Sequence, residues 1–265
     1  GRNFLDYAVN PFVAGVFAGD PNKLSVKHAL SKLYKLEQDY GSLIKGQIKK
    51  AKLPAQSDDI PKNRAKMFSF KNGLKELPET LASKLKTPIE FNTTVEQVQK
   101  LNEGWEITYN QQNEIKTLKA DNLIYAGTGH QLANCKIMNN KNLDLSFGNE
   151  IEYPPVATLT LGFHKNQIQH ALNGFGLLVP QVENLQILGA LFNSSLFPYR
   201  APEDHVTITV FMGGVRQPEL ALESEEKRLD IAVNDLAMLL GIIGSPALIF
   251  HKQWAKAIPQ YNVGY

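Results

Sequence analysis

The 265-residue sequence has one cysteine, Cys135. It therefore cannot form an internal disulfide or a multi-cysteine metal site, and it suits a reducing compartment. Neither sign of charge is in excess, since 28 Lys and Arg face 26 Asp and Glu for a net +2. Nucleic acid is therefore not expected as a partner. Long hydrophobic runs are missing too. The run over residues 236–243 falls far short of the roughly 20 residues a membrane span requires. The chain opens at Gly1-Arg2-Asn3 without an initiator Met or a signal-peptide core and stops at Val263-Gly264-Tyr265, so both ends read as cuts within a longer protein. What is present is 43% hydrophobic and 20% charged, enough apolar material for a core and too little charge for a disordered chain. Its length suits one or two domains.

The first fifty residues read as helical. Pro11 to Gly19 is rich in small residues and ends in an Asp20-Pro21 turn. Ser25 is placed to cap a helix whose apolar positions Val26, Ala29, Leu30, Leu33 and Leu36 recur at three and four residues, and a short helix fits around Leu43, Ile44 and Ile48. Residues 45–66 are basic and polar, broken by Pro54 and Pro61, and predict a loop or linker. Residues 68–73 predict a short strand and turn, followed by a helix carrying Leu74, Leu77, Leu81 and Leu85, with Pro78 near its first turn.

From Thr87 the period changes to two. A β-branched run with Val95 and Val98, the alternation Trp105, Ile107, Tyr109, a return through Ile115 and Leu118, and an apolar run over residues 123–126 predict an antiparallel meander. Strands are predicted again over 156–163, 176–179, 186–192, 206–212 and 249–254. One strong helix carries Leu229, Val233, Leu236 and Leu240, with Gly241 placed to end it. The fold class is α+β, with helices, a meander and a mixed or antiparallel sheet in succession.

No nucleophile or metal motif stands out. His164 and His170 lack a carboxylate at ligand spacing, Ser194-Ser195 lacks a nucleophile elbow, and Cys135 reads as a small apolar residue. Gly127-Thr128-Gly129 follows an apolar run, but position 132 is Leu where a dinucleotide fingerprint needs a small residue, so the glycines read as a turn. The basic residues Lys45, Lys49, Lys50, Lys52, Lys62, Arg64 and Lys66 face only Asp58 and Asp59 nearby. They are either a solvated loop or a surface for anionic lipid or a carboxylate-bearing substrate.

Particular strings carry a resemblance: Asp6-Tyr7-Ala8-Val9-Asn10-Pro11-Phe12-Val13-Ala14-Gly15-Val16-Phe17-Ala18-Gly19-Asp20-Pro21, Leu24-Ser25, Gly174-Phe175-Gly176-Leu177-Leu178-Val179-Pro180, Leu191-Phe192-Asn193-Ser194-Ser195-Leu196-Phe197-Pro198, Phe211-Met212-Gly213-Gly214 and Trp254-Ala255-Lys256-Ala257-Ile258-Pro259-Gln260-Tyr261. Together and in this order the sequence resembles the oxygen-dependent protoporphyrinogen oxidases of the flavin amine-oxidase superfamily. The resemblance implies FAD-dependent oxidation of protoporphyrinogen IX to protoporphyrin IX, with oxygen as acceptor and no protein nucleophile. It also implies a cytoplasmic protein peripherally attached to a membrane surface, a homodimer being one possible assembly. Carried over position by position, Val95 and Trp254 would meet FAD, while Ala18, Gly19, Leu178, Leu191 and Phe211 would line the porphyrinogen pocket. From alternation alone, the last three read as sheet core. Coproporphyrinogen III oxidation on the same fold, amine or phytoene oxidation, and a tetrapyrrole- or lipid-binding module are the rival readings.

The resemblance has gaps. The family's Gly-x-Gly-x-x-Gly turn for the FAD pyrophosphate, its C-terminal flavin-covering segment and its propionate-binding arginine are not in this sequence. The chain alone is therefore expected to be inactive and not to hold FAD. Its division would be residues 1–50 from a helical membrane-associating domain, 51–87 and 136–253 from a substrate domain, and 88–135 with 254–265 from the FAD domain.

Overall fold

In the computed structural model, residues 1–51 and 67–265 are described. Lys52, Pro54, Asp58, Asp59, Pro61, Lys62, Arg64 and Lys66 of the basic stretch lie outside them. The described residues form two compact units, Gly1–Ser69 with Tyr153–Tyr265, and Phe70–Glu152.

The helices come first. α1 (Arg2–Phe4) runs through a π-helical turn, Leu5–Val9, into α2 (Asn10–Phe17), where Pro11 occupies the first turn and costs no hydrogen bond. α2 ends at Ala18, which takes a left-handed conformation (φ 52°). The single helix expected after Ser25 is two. α3 (Val26–Ala29) breaks at Leu30 (φ −123°, ψ 44°), and α4 (Ser31–Tyr40) restarts there and stops at left-handed Gly41. Ser25 takes the N-cap position of α3 without a side-chain bond. α5 (Leu43–Ala51) carries Lys45, Lys49 and Lys50.

The second unit opens on the turn at Gly73, whose N–H donates to the Phe70 carbonyl at 3.0 Å. Residues 68–70 before it are irregular, a departure from the expected strand. α6 (Glu76–Ser83) follows, with Pro78 in its first turn. β1 (Thr93–Lys100), β2 (Trp105–Gln111) and β3 (Glu114–Ala120) make the antiparallel meander. Residues 123–126 do not continue it: they are irregular and exposed, Ile124 at 88%. Instead Thr128 caps α7 (Gly129–Ala133) through a capping box with Gln131. β4 (Lys136–Asn139) pairs parallel with β1, and β5 (Lys141–Asn142) pairs with β4. The sheet order β3-β2-β1-β4-β5 thus carries the meander's sheet past residue 135, where a domain boundary was expected. The signal missed is β4, whose polar sequence hides a strand.

The remainder of the first unit is a sheet ordered β10-β6-β9-β8-β7, antiparallel throughout. Its strands are β6 (Val156–His164), β7 (Gly176–Leu178), β8 (Ile187–Leu191), β9 (His205–Gly213) and β10 (Leu248–Trp254). α8 (Asn193–Leu196) and α9 (Pro218–Leu222) are single turns, and α10 (Glu225–Leu240) runs from a Ser224 cap to left-handed Gly241. Alternation assigns one face of the sheet to the core. Leu159, Leu161 and Phe163 of β6, Ile208, Val210 and Met212 of β9, and Leu236 of α10 are fully buried in one cluster. Buried Asp235 of α10 locks this layer: its Oδ2 accepts from the N–H groups of Gln186 and Ile187, at 2.7 and 2.9 Å. Trp254, expected to begin an FAD-domain piece, closes β10 opposite Val156.

Candidate functional site

The sheet's other face is a mixed surface. On β9 the odd positions Thr207, Thr209 and Phe211 oppose the core positions Val206, Ile208 and Val210. The register then brings two more residues to the same side: Leu178 of β7 faces Gly189 of β8, which faces Phe211, and Leu191 of β8 faces Thr209. Leu178, Leu191 and Phe211 therefore lie on one face of three adjacent strands, two strand spacings across, roughly 9–10 Å. Their reading as sheet core is overturned. Leu178 is 45% exposed and Leu191 and Phe211 are half-buried.

Two glycines shape this surface. A Cβ at Gly189 would come within 2.5 Å of the Leu177 carbonyl oxygen and 3.2 Å of Leu178 Cδ2, so β7 and β8 approach too closely there for a side chain. A Cβ at Gly15 of α2 would overlap the Leu178 side chain outright, so α2 rests directly on it. Phe211 packs on Ala14 and Ala18 of the same helix and on Val156 and Leu188. Between the strands, the hydroxyls of Thr160 and Thr209 pair at 3.1 Å, which satisfies two of the polar groups on this face. Phe250 on β10, 61% exposed, extends it.

Ala18 and Gly19 are buried at the end of α2, held from two distant segments. The Val215 N–H donates to the Ala18 carbonyl at 2.8 Å. Gln260 Nε2 donates to the carbonyls of Phe17 (2.8 Å) and Ile258 (3.1 Å), and its Oε1 lies 2.6 Å from where a Gly19 Cβ would stand. Gln260 is 2% exposed, and this oxygen has no hydrogen-bond partner. Beside the turn is a cavity of about 250 Å³ lined by Asn10, Gly19, Asp20, Gln181 and Arg216. Arg216 donates to Val179 O (3.0 Å) and Asn10 Oδ1 (2.9 Å), and burial pushes its guanidinium pKa down. Sequence reasoning named neither Gln260 nor Arg216 as functional. Gln260 lies inside the 254–261 string, which was the available signal, and Arg216 follows Gly213-Gly214 with no signal of its own.

Trp254 stands 42% exposed at the end of β10, with Lys252 Nζ 5.7 Å from its ring centre. Val95 belongs to the other unit, so the two expected cofactor residues are described apart. On β1, a bulge falls at Glu96, between the pairs Val95–Tyr109 and Gln97–Thr108. β4 pairs only with Gln97, Val98 and Gln99, which leaves Val95 a ladder partner on one side alone. Cys135 is half-buried, and burial pushes its thiol pKa up, which makes it a poor nucleophile at neutral pH.

The model of the flavin-containing amine oxidoreductases matches residues 1–265. The chain belongs to that family. Within it, the chain is 33% identical over its whole length to protoporphyrinogen oxidase 2 of Arabidopsis thaliana and 32% identical to the mitochondrial protoporphyrinogen oxidase of Nicotiana tabacum. It is 25% identical to coproporphyrinogen III oxidase of Staphylococcus aureus. It spans 56% and 57% of the lengths of the two plant relatives. A solved structure from Exiguobacterium sp. 255-15, assigned as a protoporphyrinogen oxidase, shares the fold over 98% of the chain and 53% of its own, with a TM-score of 0.74 at 20% identity. The α+β architecture is thus that of the flavin amine oxidoreductases. The cofactor of this family is a flavin, FAD. Within the first unit, the exposed Trp254 ring is an apolar plane of the kind a flavin packs on. No helix among the described residues is long and apolar enough to cross a membrane.

Proposed function

We propose that this chain forms the substrate-facing part of an FAD-dependent enzyme that oxidises protoporphyrinogen IX to protoporphyrin IX with oxygen as acceptor. The observation that carries this reading is the co-facial set Leu178, Leu191 and Phe211, opposite a packed core face. A porphyrinogen is broad and apolar, and a broad apolar surface with few polar anchors is what would hold it. Leu178 and Leu191 would take one ring face and Phe211 would stack on another. Ala18 and Gly19 would close the pocket at the end of α2, where any side chain at position 19 would intrude. Val95 would meet the adenine end of FAD through its backbone, and Trp254 would pack near the flavin. The flavin supplies the hydride acceptor. The residues described here orient the macrocycle and keep water from the reacting methylene bridges, and none of them needs to be a nucleophile.

In the same reading, the sheet of the first unit is the substrate domain, the meander belongs to the FAD domain, and the leading helices approach a membrane surface. The enzyme is cytoplasmic, peripherally attached there, and a homodimer is its possible assembly. Exposed Phe4, Tyr7, Phe12 and Val16 support such an approach. Coproporphyrinogen III is the second reading, supported by the bacterial relatives at 24–25% identity against 27–33% for the plant enzymes. The flavin-loaded enzyme, given each porphyrinogen in turn, should form fluorescent porphyrin faster from protoporphyrinogen. Oxidation of putrescine or benzylamine with neither porphyrinogen consumed would overturn the proposal.

A further inference from the structure

At the opposite end of β9 from Phe211 lies a second cavity, of about 470 Å³. That volume is within the range of small-molecule sites. Its polar lining includes the cationic Lys165 and Arg200 and the neutral side chains of Gln169, His170 and Ser194. No Asp or Glu lines it among the described residues. Ile168, Leu172 and Val206 give it an apolar floor.

Local hydrogen bonds set what these groups present. The Leu172 N–H donates to His170 Nδ1 at 3.0 Å, so neutral His170 carries its proton on Nε2 as a donor. His205 Nδ1 lies 2.9 Å from the Glu203 carbonyl, which can only accept, so Nδ1 is protonated and Nε2 is left over. Ser194 Oγ accepts from the Thr207 N–H at 3.1 Å and keeps its own proton to give. Arg200 is steadied by a bond from Nη2 to Ser69 Oγ at 2.7 Å. The Lys165 ammonium makes no ion pair with a described residue.

The backbone around this cavity is also unusual. Among the described residues, four non-glycine residues other than Asn and Asp take left-handed conformations, Ala18, Gln112, Leu172 and Tyr199. Two of them, Leu172 (φ 48°) and Tyr199 (φ 64°), line this cavity, and Asp204 (φ 58°) adjoins it before His205. Bulky residues adopt this region at a cost of order 1–3 kcal/mol each and gather where a ligand is gripped.

We propose that this cavity binds a small organic oxyanion, a carboxylate or a phosphate ester with an apolar body. The anionic group would sit among Lys165, His170 and Ser194, and the body would lie on Ile168, Leu172 and Val206. The site is separate from the substrate-facing sheet surface and does not depend on what that surface binds.

The test titrates the 265-residue protein with inorganic phosphate, phenyl phosphate and benzoate, following the His170 and His205 ring signals by NMR. Phenyl phosphate or benzoate should bind with Kd below about 10 mM and at least about threefold more tightly than inorganic phosphate. The tighter of the two identifies phosphate or carboxylate as the preferred head group. Lys165→Gln, at an exposed position, should weaken binding about fivefold with the fold intact, as should raising salt. Absence of binding by all three probes, or binding indifferent to Lys165→Gln, would overturn the assignment.

Discussion

Replacing Phe211 by Ala separates its two duties, because the ring is only half-buried. Its inner edge packs on Ala14, Ala18, Val156 and Leu188. Full Phe→Ala truncations in cores cost about 3–5 kcal/mol, so a half-buried ring should cost about 1.5–2.5 kcal/mol of fold stability. The outer face of the ring is what a bound macrocycle would cover, and stacking with burial there amounts to about 1–3 kcal/mol. Phe211→Ala should therefore raise KM for porphyrinogen by roughly ten- to a hundred-fold, with kcat nearly unchanged, the pattern of lost uniform binding. Phe211→Leu distinguishes the two effects. It keeps the aliphatic contact with Ala14 and Leu188 and should cost under about 1.5 kcal/mol in stability, yet it removes the flat ring and should still weaken binding about fivefold or more. Denaturant unfolding reads the first number and steady-state kinetics of the flavin-loaded enzyme the second. Normal KM in both variants, whatever their stability, would refute the placement of substrate on this face.

Gly15→Ala should gain up to about 1 kcal/mol of helix propensity in α2 while forcing Leu178 to rotate away, so thermal stability should hold and porphyrinogen affinity should shift; an unchanged KM would separate Leu178 from the site. Gly19→Ala meets Gln260 Oε1 at 2.6 Å in a buried setting and should cost about 1–3 kcal/mol in a thermal melt. Adding Gln260→Ala should restore part of that loss, a coupling a double-mutant cycle measures. Asp235→Ala strands the N–H groups of Gln186 and Ile187 and should destabilise by about 2–5 kcal/mol in denaturant unfolding, with Asp235→Asn milder. Because burial raises the Cys135 pKa, its neutral thiol dominates at pH 7, and iodoacetamide labelling should be slow there and accelerate as pH rises past the ordinary thiol range.

The longest strands of the first unit were legible in the sequence because apolar core positions alternate with polar or mixed ones, most plainly in β9. Val206, Ile208 and Val210 announced both the strand and its orientation, and with them the side on which Phe211 projects. The companionship of Leu178 and Leu191 with Phe211 was not legible. It depends on the registers Leu178–Gly189–Phe211 and Leu191–Thr209, which no local pattern encodes. The break at Leu30 was hidden because its apolar spacing continues a helix that the backbone abandons. The apolar run at residues 123–126 misled in the opposite sense. β-propensity without a neighbouring strand makes no ladder. Gln260 could be found only through the string that contains it, since a buried glutamine has no periodic signature.

The contacts that hold the Ala18–Gly19 turn also set the order in which the molecule can be completed. Gln260 reaches back 243 residues to Phe17, Ser25 donates to the Tyr261 carbonyl, and Leu24 bridges to Asn262. Closing so long a loop adds little to the equilibrium cost, about 0.6 kcal/mol per doubling of its length, but it delays the contact. The ladders of the Phe70–Glu152 unit span only short stretches of chain and need no such wait. On a ribosome, that unit can be native while α2 is still without the clasp at its end. The turn assigned to the substrate pocket is then the last part of the first unit to acquire its shape.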